Sequence, residues 1–219
     1  MHSFFSRDEP SLKICGITQL EKAKAMASLG VDAMGVNFWS GSKRFIPPGE
    51  ARRFLEEVDG QILRIGLFVN QGIELPQQLF DNGLIDAVQL HGDETMADAI
   101  SLANSGVPVI KAFNIEASAT LDVAKNYGIQ AALLDTPAPG AYGGTGKSFD
   151  WDLAVEFRKR HRKLPMILAG GINADNAAAG LEQVAPCALD VASGAESEPG
   201  VQDLKKVEAL LKIVRDASY

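Results

Sequence analysis

The chain has 219 residues, 46% hydrophobic and 22% charged, enough to build one large core at a length where a closed α/β barrel is still one domain. A net charge of -7 and a pI near 5.0 argue against a nucleic-acid partner, whose affinity comes mostly from cationic contacts to phosphates. No apolar run reaches the roughly 20 residues of a membrane helix, MHSFFSRDEP lacks a signal peptide's apolar centre, and two cysteines make no disulfide framework, so a cytoplasmic protein without membrane association is expected.

After an N-terminal extension, 1–11, a β-rich run at 12–15 leads into an amphipathic helical pattern near 19–29. Strand 33–38 then pairs with a helix near 49–59, strand 64–69 with 73–82, strand 87–90 with 94–105, and strand 109–113 with 117–127. The series closes with strand 131–135 and helix 150–162, strand 166–169 and helix 174–184, and strand 188–192 and helix 203–216. The basic run Arg158-Lys159-Arg160-His161-Arg162-Lys163 falls at a helix C-terminus, where cations offset the macrodipole. GVDAMGV, GLIDAVQL and GIQAALL each restart a strand soon after a glycine that can close the preceding helix in the left-handed conformation.

Nearly continuous apolar strands such as AALL and MILA suit a parallel sheet buried on both faces. Eight such βα units closing on themselves make a single-domain (β/α)8 TIM barrel over 1–219. An open doubly wound sheet would carry a glycine-rich fingerprint after its first strand, and CGITQLEKA supplies none.

In such barrels the chemistry sits on the loops after the strands. That rule separates the cysteines: Cys15 ends the first strand, while Cys187 precedes the eighth and belongs at the opposite rim. Several residues at about 3.3 Å each lie between them along the strand direction, too far for a disulfide. The strand-end polar residues are Lys13 and Cys15, Asn37 with SGSKR, Asn70, Gln89 and His91, Lys111, Asp135, AGG, and Asp190 with ASG.

Cys15 and Asp135 end the first and sixth strands, three steps apart around the ring, so they face each other across the mouth. A thiolate opposite a carboxyl can divide base and acid roles if each pKa moves toward neutrality. The bland alternatives are a small buried hydrophobe for Cys15 and a loop cap for Asp135. The glycine clusters AGGIN and ASGAES, at adjacent strand ends, let backbone N–H groups approach a phosphate. The long Gly/Pro-rich connection from Asp135 to Trp151 suits a lid, and its GGTGKS is no P-loop, because Ala141 stands where the motif needs glycine. Arg44 is either a bidentate carboxylate clamp or a surface arginine. His91 could orient a neighbour, bind substrate, act as base or serve structure alone. Three scattered histidines form no metal site.

Taken in order, KICGIT, SKR, FVN, QLHGDE, KAF, LLDT, YGGTGKSFDW, LAGGIN and LDVASGAESEPGVQD resemble the phosphoribosylanthranilate isomerase family of tryptophan biosynthesis. The resemblance implies a barrel without metal or organic cofactor, acting as monomer or homodimer on a small-molecule substrate. The reaction is an Amadori rearrangement of N-(5-phosphoribosyl)anthranilate to 1-(2-carboxyphenylamino)-1-deoxyribulose 5-phosphate. By position, Cys15 is the general base, Asp135 the general acid, and Arg44 the residue that holds the anthranilate carboxylate. The phosphate rests on Gly170, Gly171, Ser193 and Gly194, with the loop of Gly143 and Gly144 closing over it. His91 and Asp190 stand among the substrate-binding positions with their individual roles open. The mechanism requires Asp135 protonated and Cys15 deprotonated near neutral pH. The rivals are the related histidine-pathway isomerase, with an acidic residue where Cys15 stands, and a non-catalytic barrel that binds a phosphorylated ligand.

Overall fold

Burial alone cannot tell the two faces of these strands apart, because nearly every strand residue is buried. The computed structural model describes residues 3–6, 9–114, 122, 124, 128–136 and 150–217. Its strands are β1 (Ser11–Cys15), β2 (Ala33–Asn37), β3 (Leu63–Phe68), β4 (Ala87–Leu90), β5 (Val109–Asn114), β6 (Ala131–Asp135), β7 (Met166–Leu168) and β8 (Ala188–Val191). They pair in parallel in chain order, and β8 returns to β1 with Lys13 opposite Asp190, closing the barrel. Around it lie α1 (Leu20–Leu29), α2 (Pro48–Glu57), α3 (Glu74–Asp81), α4 (Met96–Asn104), α5 (Trp151–Arg160), α6 (Ala177–Val184) and α7 (Leu204–Asp216). A small antiparallel pair, β9 (Glu196–Glu198) and β10 (Val201–Gln202), follows β8.

The expected (β/α)8 barrel is therefore the observed fold. Of the helix expected near 117–127 only residues 122 and 124 are described, and 137–149 of the segment read as a lid, with Gly143 and Gly144, lie outside the described residues. β1 begins at Ser11, inside the expected extension, because the Ser11 N–H donates to the Cys187 carbonyl at 2.9 Å. The extension also supplies core: Phe4 and Phe5, in a 3-10 turn, pack edge to face at 5.1 Å and are buried with strand residues. The basic residues Arg158, Lys159 and Arg160 occupy the last turn of α5, as expected. A capping box of Thr95 and Asp98 fixes the start of α4, a device worth about 1 kcal/mol. Among the described residues no helix is long and apolar enough to cross a membrane.

Two apolar tiers define the two faces of each strand. Ala131 and Leu133 join Ala33, Ile65, Ala87, Ile167 and Ala188 in a cluster free of residues from α1 to α7, the barrel interior. Ala132 and Leu134 pack outward with helix residues such as Met26, Phe54, Leu102 and Phe157. Successive strand side chains alternate between faces, so residues in phase with the inner set point into the barrel. That phase includes Asp135 on β6, Gln89 and then His91 on and after β4, Asp190 on β8, and Lys13 and Cys15 between the outward Leu12 and Ile14.

Lys111 is out of phase, flanked by the inward Ile110 and Ala112. Its ammonium donates to the Gly92 carbonyl at 2.7 Å and to Glu94 at 3.2 Å, so it fastens the loop behind His91 instead of facing the mouth. Burial pulls its pKa below the ordinary lysine value, against the pull of Glu94. Asn70, another strand-end residue, also serves a loop: its side-chain oxygen accepts the Asp93 N–H at 2.7 Å.

Candidate active site

A fully buried ammonium is tolerated only when paired and hydrogen-bonded, and Lys13 is both. Its Nζ donates to Asp190 Oδ1 at 2.9 Å and to Gln89 Oε1 at 2.8 Å, and its charge acts on the neighbouring Cys15 side chain. Burial by itself pushes Lys13 down, but Asp190 and Cys15 more than offset this, and its pKa lies above the ordinary value.

Cys15 sits at the mouth with Leu67 and Val69, while Trp39 and Ala192 pack alongside. Asn37 fixes the approach of Trp39 by accepting its N–H at 2.9 Å. Gly35 makes room for the thiol, since a Cβ there would come within 2.7 Å of the Cys15 sulfur. Burial pushes the thiol up to about 11; Lys13 and Arg44 pull it down, and Asp190 opposes them. Burial of the thiol therefore works against the deprotonated Cys15 that a base role requires, and Lys13 and Arg44 work for it. The thiolate is the nucleophile, so alkylation of Cys15 by iodoacetamide, followed by peptide mapping, should accelerate about tenfold per pH unit between pH 7 and 10. A plateau already reached at pH 8 would contradict that placement.

Across the mouth, Asp135 is buried with both oxygens engaged. His91 Nε2 lies 3.2 Å from Oδ2, and the Thr136 N–H donates to Oδ1 at 2.7 Å. Gln89 Nε2 lies 2.8 Å from His91 Nδ1. Asp190, Lys13, Gln89, His91 and Asp135 thus form one hydrogen-bonded chain from β8 and β1, through β4, to β6. Cys15 joins it at Lys13. Asp190 meets Lys13 here, an ion pair inside the barrel.

The two glycine loops meet backbone to backbone. A Cβ at Gly194 would lie 2.0 Å from the Ile172 carbonyl oxygen, so only glycine permits this contact. A Cβ at Gly170 would come within 2.2 Å of Thr136 Oγ1 and 3.1 Å of Asp135 Oδ1, which puts the loop after β7 against the carboxyl group. Gly171 belongs to the same turn, and its carbonyl accepts from Asn173 at 3.2 Å and Asn176 at 3.0 Å. Ser193 opens a 3-10 turn, Ser193–Ala195, beside it.

Arg44 is no surface residue. Its Nε and Nη2 donate to Glu196 at 2.7 and 2.6 Å in a side-on fork, and Glu196 also accepts the Gly200 N–H at 3.0 Å. The hydrogen bonds to Glu196 hold the guanidinium charged against the cost of burial. Gly16, directly after Cys15, has φ 85, and a Cβ there would strike Arg44 Cδ at 2.3 Å. Glycine therefore serves two needs at once, a left-handed turn and a seat for Arg44 across the end of β1. The end-on edge of the guanidinium is not used by Glu196 and can take a second carboxylate. Sequence reasoning assigned no role to Glu196, although ASGAE at the end of β8 places a carboxylate beside the phosphate-type loops.

Buried ionisable groups gathered at the C-terminal mouth put the chain in the class of (β/α)8-barrel enzymes. Comparison with known proteins narrows the class. Residues 12–213 match the N-(5'-phosphoribosyl)anthranilate (PRA) isomerase family, and the chain belongs to that family. N-(5'-phosphoribosyl)anthranilate isomerase of Trichlorobacter lovleyi is 40% identical over 206 residues, 94% of this chain and 98% of the relative. The crystal structure of phosphoribosyl anthranilate isomerase from Thermotoga maritima is 37% identical with a TM-score of 0.86, covering 95% of this chain and 100% of that one. Another structure of a phosphoribosyl anthranilate isomerase, in complex with reduced 1-(o-carboxyphenylamino)-1-deoxyribulose 5-phosphate, is 34% identical with a TM-score of 0.83, again covering 95% and 100%.

Proposed function

We propose that this protein is an N-(5'-phosphoribosyl)anthranilate isomerase of tryptophan biosynthesis, working in the cytoplasm by general acid and base catalysis. The observation that carries this is the placement of Cys15 beside Lys13 and of Asp135 beside His91, all buried, on two sides of one barrel mouth. Arg44 offers its end-on edge to the anthranilate carboxylate, and Trp39, Leu67 and Val69 give the aromatic ring an apolar wall next to Cys15. The phosphate rests on the loops of Gly170, Gly171, Ser193 and Gly194. Asp190 acts through Lys13.

Asp135 gives its proton to the ribose ring oxygen as the bond from that oxygen to C1 breaks and the anilinic nitrogen forms a C1=N iminium. Cys15, once its thiol proton has passed to solvent, removes the C2 proton as the thiolate, and the electrons of the C2–H bond neutralise the iminium to an enolamine, which tautomerises to the 2-ketone. A base with a resting pKa of about 11 needs help at neutral pH. The pull of Lys13 is already part of that value, so the added stabilisation of the thiolate comes from the iminium, whose positive charge forms beside the sulfur when it is needed.

The test is decay of anthranilate-type fluorescence when phosphoribosylanthranilate, generated in situ, meets the protein. Turnover of the aminoimidazole ribotide instead would favour the histidine-pathway rival, and tight binding without turnover the binding barrel. Arg44→Ala is expected to raise KM about 10- to 100-fold with kcat changed less than about fivefold, since the fork binds ground and transition states alike. Unchanged kinetics would remove Arg44 from the carboxylate site.

A further inference from the structure

We infer that Gln89 is a positioning residue that fixes the tautomer of His91 and so aims the acid proton of Asp135 toward the substrate; the inference rests on Asp135 being the acid. A primary amide has one accepting end and one donating end. Lys13, fully buried and paired with Asp190, can only donate, so the Gln89 carbonyl must face it, at 2.8 Å. The amide NH2 then faces His91 Nδ1, also at 2.8 Å, and that nitrogen must accept. The proton of the neutral ring is left on Nε2, pointing at Asp135 Oδ2 across 3.2 Å. Turning Gln89 over would set NH2 against the Lys13 ammonium in a dry interior. One ion pair at β1 and β8 therefore orients every hydrogen bond as far as β6.

The chemical consequence lies at Asp135. With Nε2–H donating to Oδ2 and the Thr136 N–H donating to Oδ1, a proton on the carboxyl must occupy a remaining lone pair, free for the ribose oxygen. In the opposite tautomer Nε2 would be a bare acceptor, and the carboxyl O–H would turn to it and away from the substrate. Gln89 is itself fully buried and acts only through His91. The charged groups around the ring are Asp135 from β6, the Lys13–Asp190 pair behind Gln89, and the Lys111–Glu94 pair under the loop that follows β4.

The experiment is imidazole nitrogen NMR of the whole protein labelled at its three histidines, with His91→Gln to assign the signals. At pH 8 the native protein should show His91 protonated on Nε2 and bare on Nδ1. Gln89→Glu is isosteric but accepts at both ends, from Lys13 and from a proton on Nδ1, so it should move the ring proton to Nδ1. The same variant should lower kcat about 10- to 100-fold with KM within about twofold, and Gln89→Leu should give mixed tautomers and an intermediate kcat. A native His91 protonated on Nδ1, an unmoved tautomer in Gln89→Glu, or a moved tautomer with native kcat would each overturn the inference. A native protein that turns over no phosphoribosylanthranilate would instead overturn the proposed reaction, a failure the spectra would separate from a wrong tautomer.

Discussion

Asp135→Asn is expected to lower kcat by about 10³- to 10⁴-fold, the scale of a lost general acid, equivalent to about 4–5.5 kcal/mol. Binding of a reduced, non-reacting product analogue should change by less than about threefold, because the side chain keeps its shape and such an analogue needs no proton from it. Structure need not be fully preserved. Asp135 accepts from His91 on one oxygen and from Thr136 on the other, and an asparagine can accept on only one side. One buried donor would then face the amide NH2, at a cost of about 1–3 kcal/mol in stability. Thermal denaturation would register that cost, and analogue binding by the folded variant would keep it separate from the loss of catalysis. A normal turnover rate in Asp135→Asn would remove it as the acid.

Cys15→Ala should slow fluorescence decay by about 10³-fold or more. His91, the other candidate base, offers the substrate no lone pair in this structure: Gln89 occupies Nδ1, and Nε2 faces Asp135. Equal rates in the native protein and the variant would return Cys15 to a packing role. The same variant has a signature in stability. The folded protein keeps the thiol proton up to about 11, whereas the unfolded chain releases it near 9, so the unfolded state binds fewer protons between those values. Stability therefore falls as pH rises from 9 to 11, by about 2–3 kcal/mol from this group, and Cys15→Ala should flatten that part of the profile. Guanidinium unfolding at pH 8, 9.5 and 11 would measure it, and identical slopes in both proteins would show that burial does not hold the thiol proton.

The strand order was legible because each βα unit writes its own local signals: an apolar run, a glycine after a helix, a polar residue at a strand's end. LLDT and KICG mark strand ends within a residue of where the barrel places them. Lys111 shows where that rule stops. It lies in a strand as polar and as buried as Lys13, yet it points the other way, because one residue of phase decides which face a side chain takes. Burial on both faces erases the alternation that would have revealed the phase in the sequence.

By itself the sequence determined the eightfold alternation, the thiol at the end of β1 and the carboxyl at the end of β6, with glycines where two loops must touch. The tertiary structure alone decided what those groups are chemically. Lys13 meets Gln89 and Asp190 across 76 and 177 residues of chain, and Arg44 meets Glu196 across 152. Such partners are set by barrel closure, which brings β8 against β1 and buries the interior side chains, so that the proton on Cys15, the charge on Lys13 and the hydrogen on His91 depend on neighbours that no local stretch of sequence contains.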